Sequence, residues 1–389
     1  MRNVALGLLA AAATLAAAQD RTEIRSLPRT ELQALAGAYS VLQASLPEKP
    51  DDKSLISSAI RGMMQGADPD NGEYFTQAEY RVYTDRMRPD AGSMGLEMRT
   101  RDGQPFLVPI EDGPAAQAGI KFMDRLYAVD NTHTQGLQAH QIIDLLRGEP
   151  GTKATLTVFR ESSLTVHSVT VERRAFSLSG PTLSRPVPAI ALLRIPAFRA
   201  ATLRDTTELV RNEWRRQPFK ALILDLRGSP GGLVEASIGV AAMFLPPDVV
   251  VATFSGRAPN SGQVYRATRS DYARSAGVDP LADFPNQARA LPMAVLVDEA
   301  TSAGAEIVAA ALKDHKRAAI FGRTTYGRAS IQTVTQLPDA GAIKYTSAYW
   351  TSPAGNQIHG VGVAPTVAIA SRDREATSQA AVKALLDQQ

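Results

Sequence analysis

Leu224-Asp225-Leu226-Arg227-Gly228-Ser229-Pro230-Gly231-Gly232-Leu233 and Val295-Leu296-Val297-Asp298-Glu299-Ala300-Thr301-Ser302-Ala303-Gly304-Ala305-Glu306-Ile307 are built alike: an apolar strand, a tight turn of small residues, then the start of a helix. Such a passage leaves backbone N–H groups free at the helix start, where negative charge is favoured. Around these two runs buried strands alternate with helices, at 221–226, 234–244, 293–297, 303–313 and 318–321. That alternation predicts an α/β layer with parallel strands. The first turn lacks the spaced Gly-Lys-Ser/Thr of a phosphate-binding loop, so nucleotide binding finds no support. The turn can be plain structure, or it can furnish one donor of an oxyanion hole. Asp225 and Arg227 read most simply as an ion pair fixing it.

Outward from this core the periodicity changes twice. Residues 28–88 carry apolar side chains at helical spacing, as in Leu32, Leu35, Tyr39 and Leu42 and then Leu55, Ile56, Ile60 and Met63, which predicts a helical N-terminal region. Residues 92–174 shift to short strands, such as Phe106–Ile110 and Ala154–Val158, with a helix over 139–146. A Pro-bearing connection, 181–188, leads into the α/β core, within which the polar segment 255–290 reads as a long surface loop. The chain begins with Met1 and Arg2, an apolar run from Val4 to Ala18, and the small residues Ala16-Ala17-Ala18. This is the pattern of a signal peptide, too short for the roughly 20 apolar residues of a membrane span; a retained anchor is the other reading. The expected organisation is therefore a signal peptide at 1–18, a helical region at 19–91, a β-rich module at 92–174, the α/β core at 175–370 and a terminal helix or tail at 371–389. The mature chain is expected to be exported, to periplasm or extracellular space, with no stable membrane span.

Composition sets the outer limits. A chain of 389 residues suggests two to three domains. With 44% hydrophobic and 21% charged residues it is neither disordered, collagenous nor coiled coil. Lys plus Arg number 42 against 39 acidic residues, so nucleic acid is not expected as a partner. The absence of cysteine excludes disulfides, thiolate catalysis and a lipoprotein anchor. No His and carboxylate residues cluster at ligand spacing, so neither a metal nor another cofactor is expected.

The module at 92–174 opens with Gly92-Ser93-Met94-Gly95-Leu96, continues through Asp112-Gly113-Pro114-Ala115-Ala116 and Gly119-Ile120, and closes its helix with Leu146-Arg147-Gly148-Glu149-Pro150-Gly151-Thr152. These features in this order resemble a PDZ domain, in which a strand edge accepts an extended peptide and a turn holds its carboxylate. The carboxylate loop would be Met94, Gly95 and Leu96. With Ala67-Asp68-Pro69-Asp70, Gly322-Arg323-Thr324-Thr325-Tyr326-Gly327-Arg328-Ala329-Ser330-Ile331-Gln332 and Pro353-Ala354-Gly355-Asn356-Gln357-Ile358, residues 28–368 resemble the carboxyl-terminal processing, or tail-specific, serine peptidases. The resemblance implies an α/β peptidase core with mixed parallel sheet flanked by helices, a helical N-terminal region, an inserted PDZ-like domain, and protein C-terminal tails as partners.

The family's chemistry uses a serine nucleophile and an unprotonated lysine as base. By the family's spacing the nucleophile falls three residues before Glu306, at Ala303, and the base 25 residues later, at Arg328. Gln332 matches the glutamine that orients the lysine, and Gly232 and Gly304 match the oxyanion donors. Ala303 has no nucleophilic atom, and a guanidinium does not give up its proton in proteins. The resemblance therefore implies a catalytically impaired tail binder. An engineered Ser→Ala change would account for position 303 and leave Arg328 unexplained. The alternative is an active endopeptidase with Ser302 as nucleophile, although Ser302 also reads as a helix N-cap. Its base would have to be found elsewhere: Lys313 is too far along the helix, and among the histidines only His359 stays open.

Overall fold

A computed structural model describes residues 28–85, 92–176, 179–257, 261–274, 277–338 and 340–387; the expected signal segment, 1–18, lies outside them. The chain divides after Met63 into two compact units. The first contains α1 (Arg29–Ser45) and the greater part of α2 (Asp52–Ala67). Tyr39 donates to Asp52 Oδ1 at 2.7 Å and ties the two helices together. The apolar spacing predicted a helix and α1 is one, yet none of its residues is buried, and Leu32, Leu35 and Leu42 are all exposed. Helical periodicity marks a face able to pack; it does not supply the layer against which to pack.

The second unit begins with β1 (Glu73–Phe75) and α3 (Gln77–Asp85). The helical region at 28–88 thus also carries a short strand: all three residues of β1 are buried, and it pairs antiparallel with residues 342–344. A strand this short displays no period of its own. The β-rich module follows, with β2 (Leu96–Arg101), β3 (Gln104–Pro109), α4 (Pro114–Ala118), β4 (Asp124–Val129), β5 (Thr132–His133), α5 (Ala139–Leu146), β6 (Lys153–Arg160) and β7 (Thr165–Glu172). Its sheet is ordered β2-β3-β4-β6-β7, which leaves β2 on an edge. The module has its own core, in which Met94, Leu107, Ile120, Ile142, Leu156 and Val171 are buried.

The α/β core runs through β8 (Thr182–Val187), β9 (Ile190–Arg194), α6 (Thr202–Arg216), β10 (Ala221–Asp225), α7 (Val234–Ala242), β11 (Val250–Ser255), β12 (Gln263–Arg266), α8 (Arg269–Tyr272), α9 (Asn286–Ala290), β13 (Met293–Val297), α10 (Gly304–Asp314), β14 (Ala319–Gly322), β15 (Ser330–Leu337), β16 (Gly341–Thr351), β17 (Val367–Ala368) and α11 (Arg374–Leu386). The central sheet is ordered β17-β14-β13-β10-β9-β8, parallel except for β8. Both of its faces are covered. Leu222 and Leu224 of β10 pack with Ile238 of α7 and Val308 of α10, while Ala221 and Ile223 pack with Ala381 and Leu385 of α11. This two-sided burial explains why the strands read as continuous apolar runs. The segment 255–290, expected as surface loop, in fact bears β12, α8 and α9, and buries Leu281, Phe284 and Ala288 in the core. Phe284 meets Phe244 edge-on at 5.8 Å. Isolated apolar anchors in a polar stretch have no period to betray them. Among the described residues no helix is long and apolar enough to cross a membrane.

Candidate active site

The two strand–turn–helix runs lie side by side because β10 and β13 are neighbours in register, Leu224 opposite Val295. Their turns leave the carboxyl ends of parallel strands, where open α/β sheets form their crevices. Arg227 pairs with Asp225, Nε to Oδ1 at 2.8 Å and Nη2 to Oδ2 at 2.7 Å, and this pairing holds the Asp225 carboxyl below its ordinary range despite burial. Gly228 N–H donates to Asp298 Oδ1 at 2.9 Å, and Ser302 N–H to Ser229 O at 2.9 Å, so one turn is bonded directly to the other. The approach is closest at Gly231, where a Cβ would stand 2.5 Å from both Gly304 N and Ser302 O; any larger residue would push the turns apart.

Ala303 occupies the tip of the second turn. Its backbone is at φ 49° and ψ −117°, a region that a residue with a Cβ enters only under strain. It faces a cavity of about 360 Å³ whose lining includes Gly232, Gly304, Arg328, Ser330 and Gln332, with Pro230, Val234, Ile307, Ile331 and Trp350 as its apolar wall. Among the described residues neither Gly232 N–H nor Gly304 N–H donates to a protein acceptor. The family-matched positions are thus brought to one cavity. Gln332 Nε2 donates to Ser330 Oγ at 2.8 Å, while Arg328 Nη1 donates to Glu97 Oε1 at 2.9 Å.

Ser302 is placed differently. Its side chain is fully buried, it does not line the cavity, and among the described residues its Oγ has no hydrogen-bond partner. Among the described residues no side chain accepts that hydroxyl's proton, which is the contact the alternative reading calls for. Nor does Ser302 cap the helix, since the N-cap is Ala303. The cap comes from Glu306, whose Oε2 accepts Ala303 N–H at 2.9 Å. The same buried carboxylate also takes Gly327 N–H at 2.6 Å, Arg328 N–H at 2.8 Å and the Thr325 hydroxyl. Burial pushes the Glu306 carboxyl up, and these donors oppose it. Glu306 thereby fixes both the turn at 303 and the turn at 327–328. Lys313, at the other end of α10, donates to Ala364 O at 2.8 Å. The His359 ring is tilted against Tyr349, 4.6 Å between centres, and does not line Ala303's cavity; burial lowers its imidazole pKa.

In the β-rich module, Gly95 has φ 63°, and a Cβ there would meet Pro114 Cδ at 2.6 Å. Met94 is buried, Gly95 N–H is taken by Ser93 Oγ at 3.1 Å, and Ile110 N–H donates to Gly95 O at 2.9 Å. That last bond sets the phase of β2: Glu97 and Arg99 bond toward β3, and the amides of Leu96, Met98 and Thr100 face the open edge. Between this edge, α5 and the core lies a cavity of about 420 Å³, lined by Met98, Thr100, Ala139 and Ile143 on one side and Tyr326 and Arg328 on the other. Glu97, Arg328 and Ser330 line both cavities, so groove and cleft adjoin. Beside them Arg99 bonds Glu97 and Ala300 O and lies 3.9 Å over the Tyr326 ring. A second joint is buried below: Glu73 accepts His140 N–H at 2.7 Å, contacts His140 Nδ1 at 2.9 Å, and takes Lys344 Nζ at 2.5 Å. Sequence reasoning used Glu306 only as a landmark and missed Glu97 and Glu73. Glu97 is 231 positions from Arg328, and nothing local announces the contact.

Fold and cleft together define a peptidase-type α/β core carrying a PDZ-like module. Residues 189–369 match peptidase family S41, and residues 107–160 match the PDZ domain. The chain is 30% identical over 324 residues to the carboxy-terminal-processing protease of Bartonella bacilliformis, covering 82% of this chain and 70% of that protein. It is 27% identical over 339 residues to the carboxy-terminal processing protease CtpA of Bacillus subtilis, covering 87% and 69%. Its fold matches the photosystem II D1 C-terminal processing protease with TM-score 0.70 at 24% identity, over 87% of this chain and 89% of the other. The chain belongs to the carboxy-terminal processing protease family.

Proposed function

We propose that this family member binds protein C-terminal tails without hydrolysing them, at the open edge of β2 and the Met94–Leu96 loop. An extended tail would add to β2 as a strand, through the outward amides of Leu96, Met98 and Thr100, with its terminal carboxylate at the loop. The observation carrying the reading is the cleft itself. At the strained turn where the family expects its serine stands a methyl group, and across the cavity, where it expects a lysine amine, stands a guanidinium paired with Glu97. Acyl transfer needs a nucleophile and a proton acceptor side by side, and these two positions provide neither. Ser302, buried and without a hydrogen-bond partner among the described residues, supplies no substitute. Ala303, Arg328 and Gln332 are then the inherited catalytic positions, Gly232 and Gly304 the inherited oxyanion donors. The apolar N-terminal run fits export of the chain to periplasm or extracellular space, where exposed protein tails would be its ligands.

Fluorescence anisotropy of a labelled peptide with an apolar C-terminal residue tests the proposal. Saturable binding of the free acid, at least tenfold weaker binding of the amide, and an unchanged peptide on chromatography are expected. Failure to bind, or acid and amide binding equally, would contradict it.

A further inference from the structure

We infer that the cleft beside Ala303 is a second carboxylate-binding site, distinct from the β2 groove, with Arg328 as its anchor. A guanidinium offers five N–H donors along two edges and suits a planar carboxylate. Only Nη1 of Arg328 is engaged, by Glu97; among the described residues its Nε and Nη2 donate to no protein acceptor, and the side chain remains 31% exposed. The Glu97 contact also demonstrates, within the molecule, that a carboxylate fits against this group.

Three further features favour a peptide terminus over a small inorganic anion. The unengaged amides of Gly232 and Gly304 line the same cavity and can share the second carboxylate oxygen. Part of the wall is apolar, through Val234, Ile307, Ile331 and Trp350, and suits a hydrophobic last side chain, while Glu97, Ser330 and Gln332 complete the lining. The cleft also adjoins the β2 groove at Arg328 and Ser330, so a peptide can enter from that side. The exchange of lysine for arginine then has a consequence of its own: it removes a base and creates a bidentate anchor. Because one tail has one terminal carboxylate, groove and cleft hold two separate tails.

The inference rests on the tail-binding proposal for the nature of its ligand, and the test separates the two. Trp350 lines the cleft and Trp214 is the other tryptophan of the chain, so in a Trp214→Phe background Trp350 emission reports cleft occupancy. The probe is an acetylated hexapeptide ending in valine, as free acid and as amide, titrated by calorimetry and by fluorescence. The acid is expected to bind two per chain and to change Trp350 emission; the amide, at least tenfold weaker, needs no variant to show the dependence. Arg328→Gln should abolish the emission change and leave one equivalent. Met98→Pro, which removes one outward N–H from an edge strand, should remove the other equivalent and keep the emission change. Circular dichroism confirms that both variants fold. One equivalent with silent Trp350, indifferent to Arg328→Gln, overturns the cleft site and leaves groove binding standing. No binding of either kind overturns both.

Discussion

The cleft at Ala303 and the edge of β2 adjoin, yet they are built on opposite plans. Around the cleft the turns are fixed from inside: Glu306 gathers four donors, Asp298 holds the first turn, and Gly231 lets the two turns touch. The edge of β2 is instead a row of backbone groups left open on one side. The contrast teaches that a site's architecture and its reactive groups are held by different residues. Backbone hydrogen bonds and buried carboxylates maintain the shape; in the proposed reading, a methyl at 303 and a guanidinium at 328 leave that shape in place without its chemistry.

Restoring the reactive groups is the strongest way to break the contrast. Ala303→Ser with Arg328→Lys should raise peptide hydrolysis well above background, since the supporting turns are intact. Glu97 stands where it would pair with the new lysine, and a nearby opposite charge favours the protonated amine. Adding Glu97→Gln should therefore speed the double variant at least tenfold at neutral pH, as measured by a quenched fluorescent peptide. A triple variant no faster than the double would remove Glu97 from the account.

Removing the support comes next. Glu306→Ala would leave the amides of Ala303, Gly327 and Arg328 and the Thr325 hydroxyl without their acceptor, at a cost of about 3–5 kcal/mol in urea unfolding. Cleft binding should vanish with it, and Glu306→Gln should cost less. A loss under 1 kcal/mol would mean that the turns hold themselves.

The joint at Glu73 predicts a pH dependence. Burial opposes its charge, but His140 and Lys344 outweigh burial and hold the carboxyl at about 2, against an ordinary 4.5. A depressed carboxyl stabilises the folded state above its unfolded value and loses that contribution as pH falls through the folded one. About 3 kcal/mol should therefore disappear between roughly pH 5 and 2 in the unmodified chain and not in Glu73→Gln. Parallel stability curves for the two would show the joint to be energetically silent.

The smallest effect is expected at Ala303 itself. Glycine there relieves the strain of a positive φ, worth about 1–3 kcal/mol, and gives back part of it through a freer unfolded chain. Ala303→Gly should gain about 1 kcal/mol in thermal unfolding. A loss would mean the methyl packs in a way that its strain conceals.

What the sequence disclosed follows the range of the interactions involved. The helix at 139–146 and the strand at 293–297 are legible to the residue, because period and flanking turns are local signals. The two turns and the residues at 303 and 328 are likewise read from contiguous motifs. Strand β1 is too short to show a period, and the pairings of Glu97 with Arg328 and of Glu73 with Lys344 join residues more than 200 positions apart. The error at Ser302 is instructive in another way. A serine ahead of a helix suggests a cap, but the buried Glu306 had already taken that role from inside the helix.

Mass spectrometry of an unstructured, apolar-tailed peptide held with the unmodified chain through prolonged incubation tests the central claim most directly. The account predicts a bound peptide recovered at its full mass. Fragments that disappear when Ser302 is replaced by alanine would contradict it.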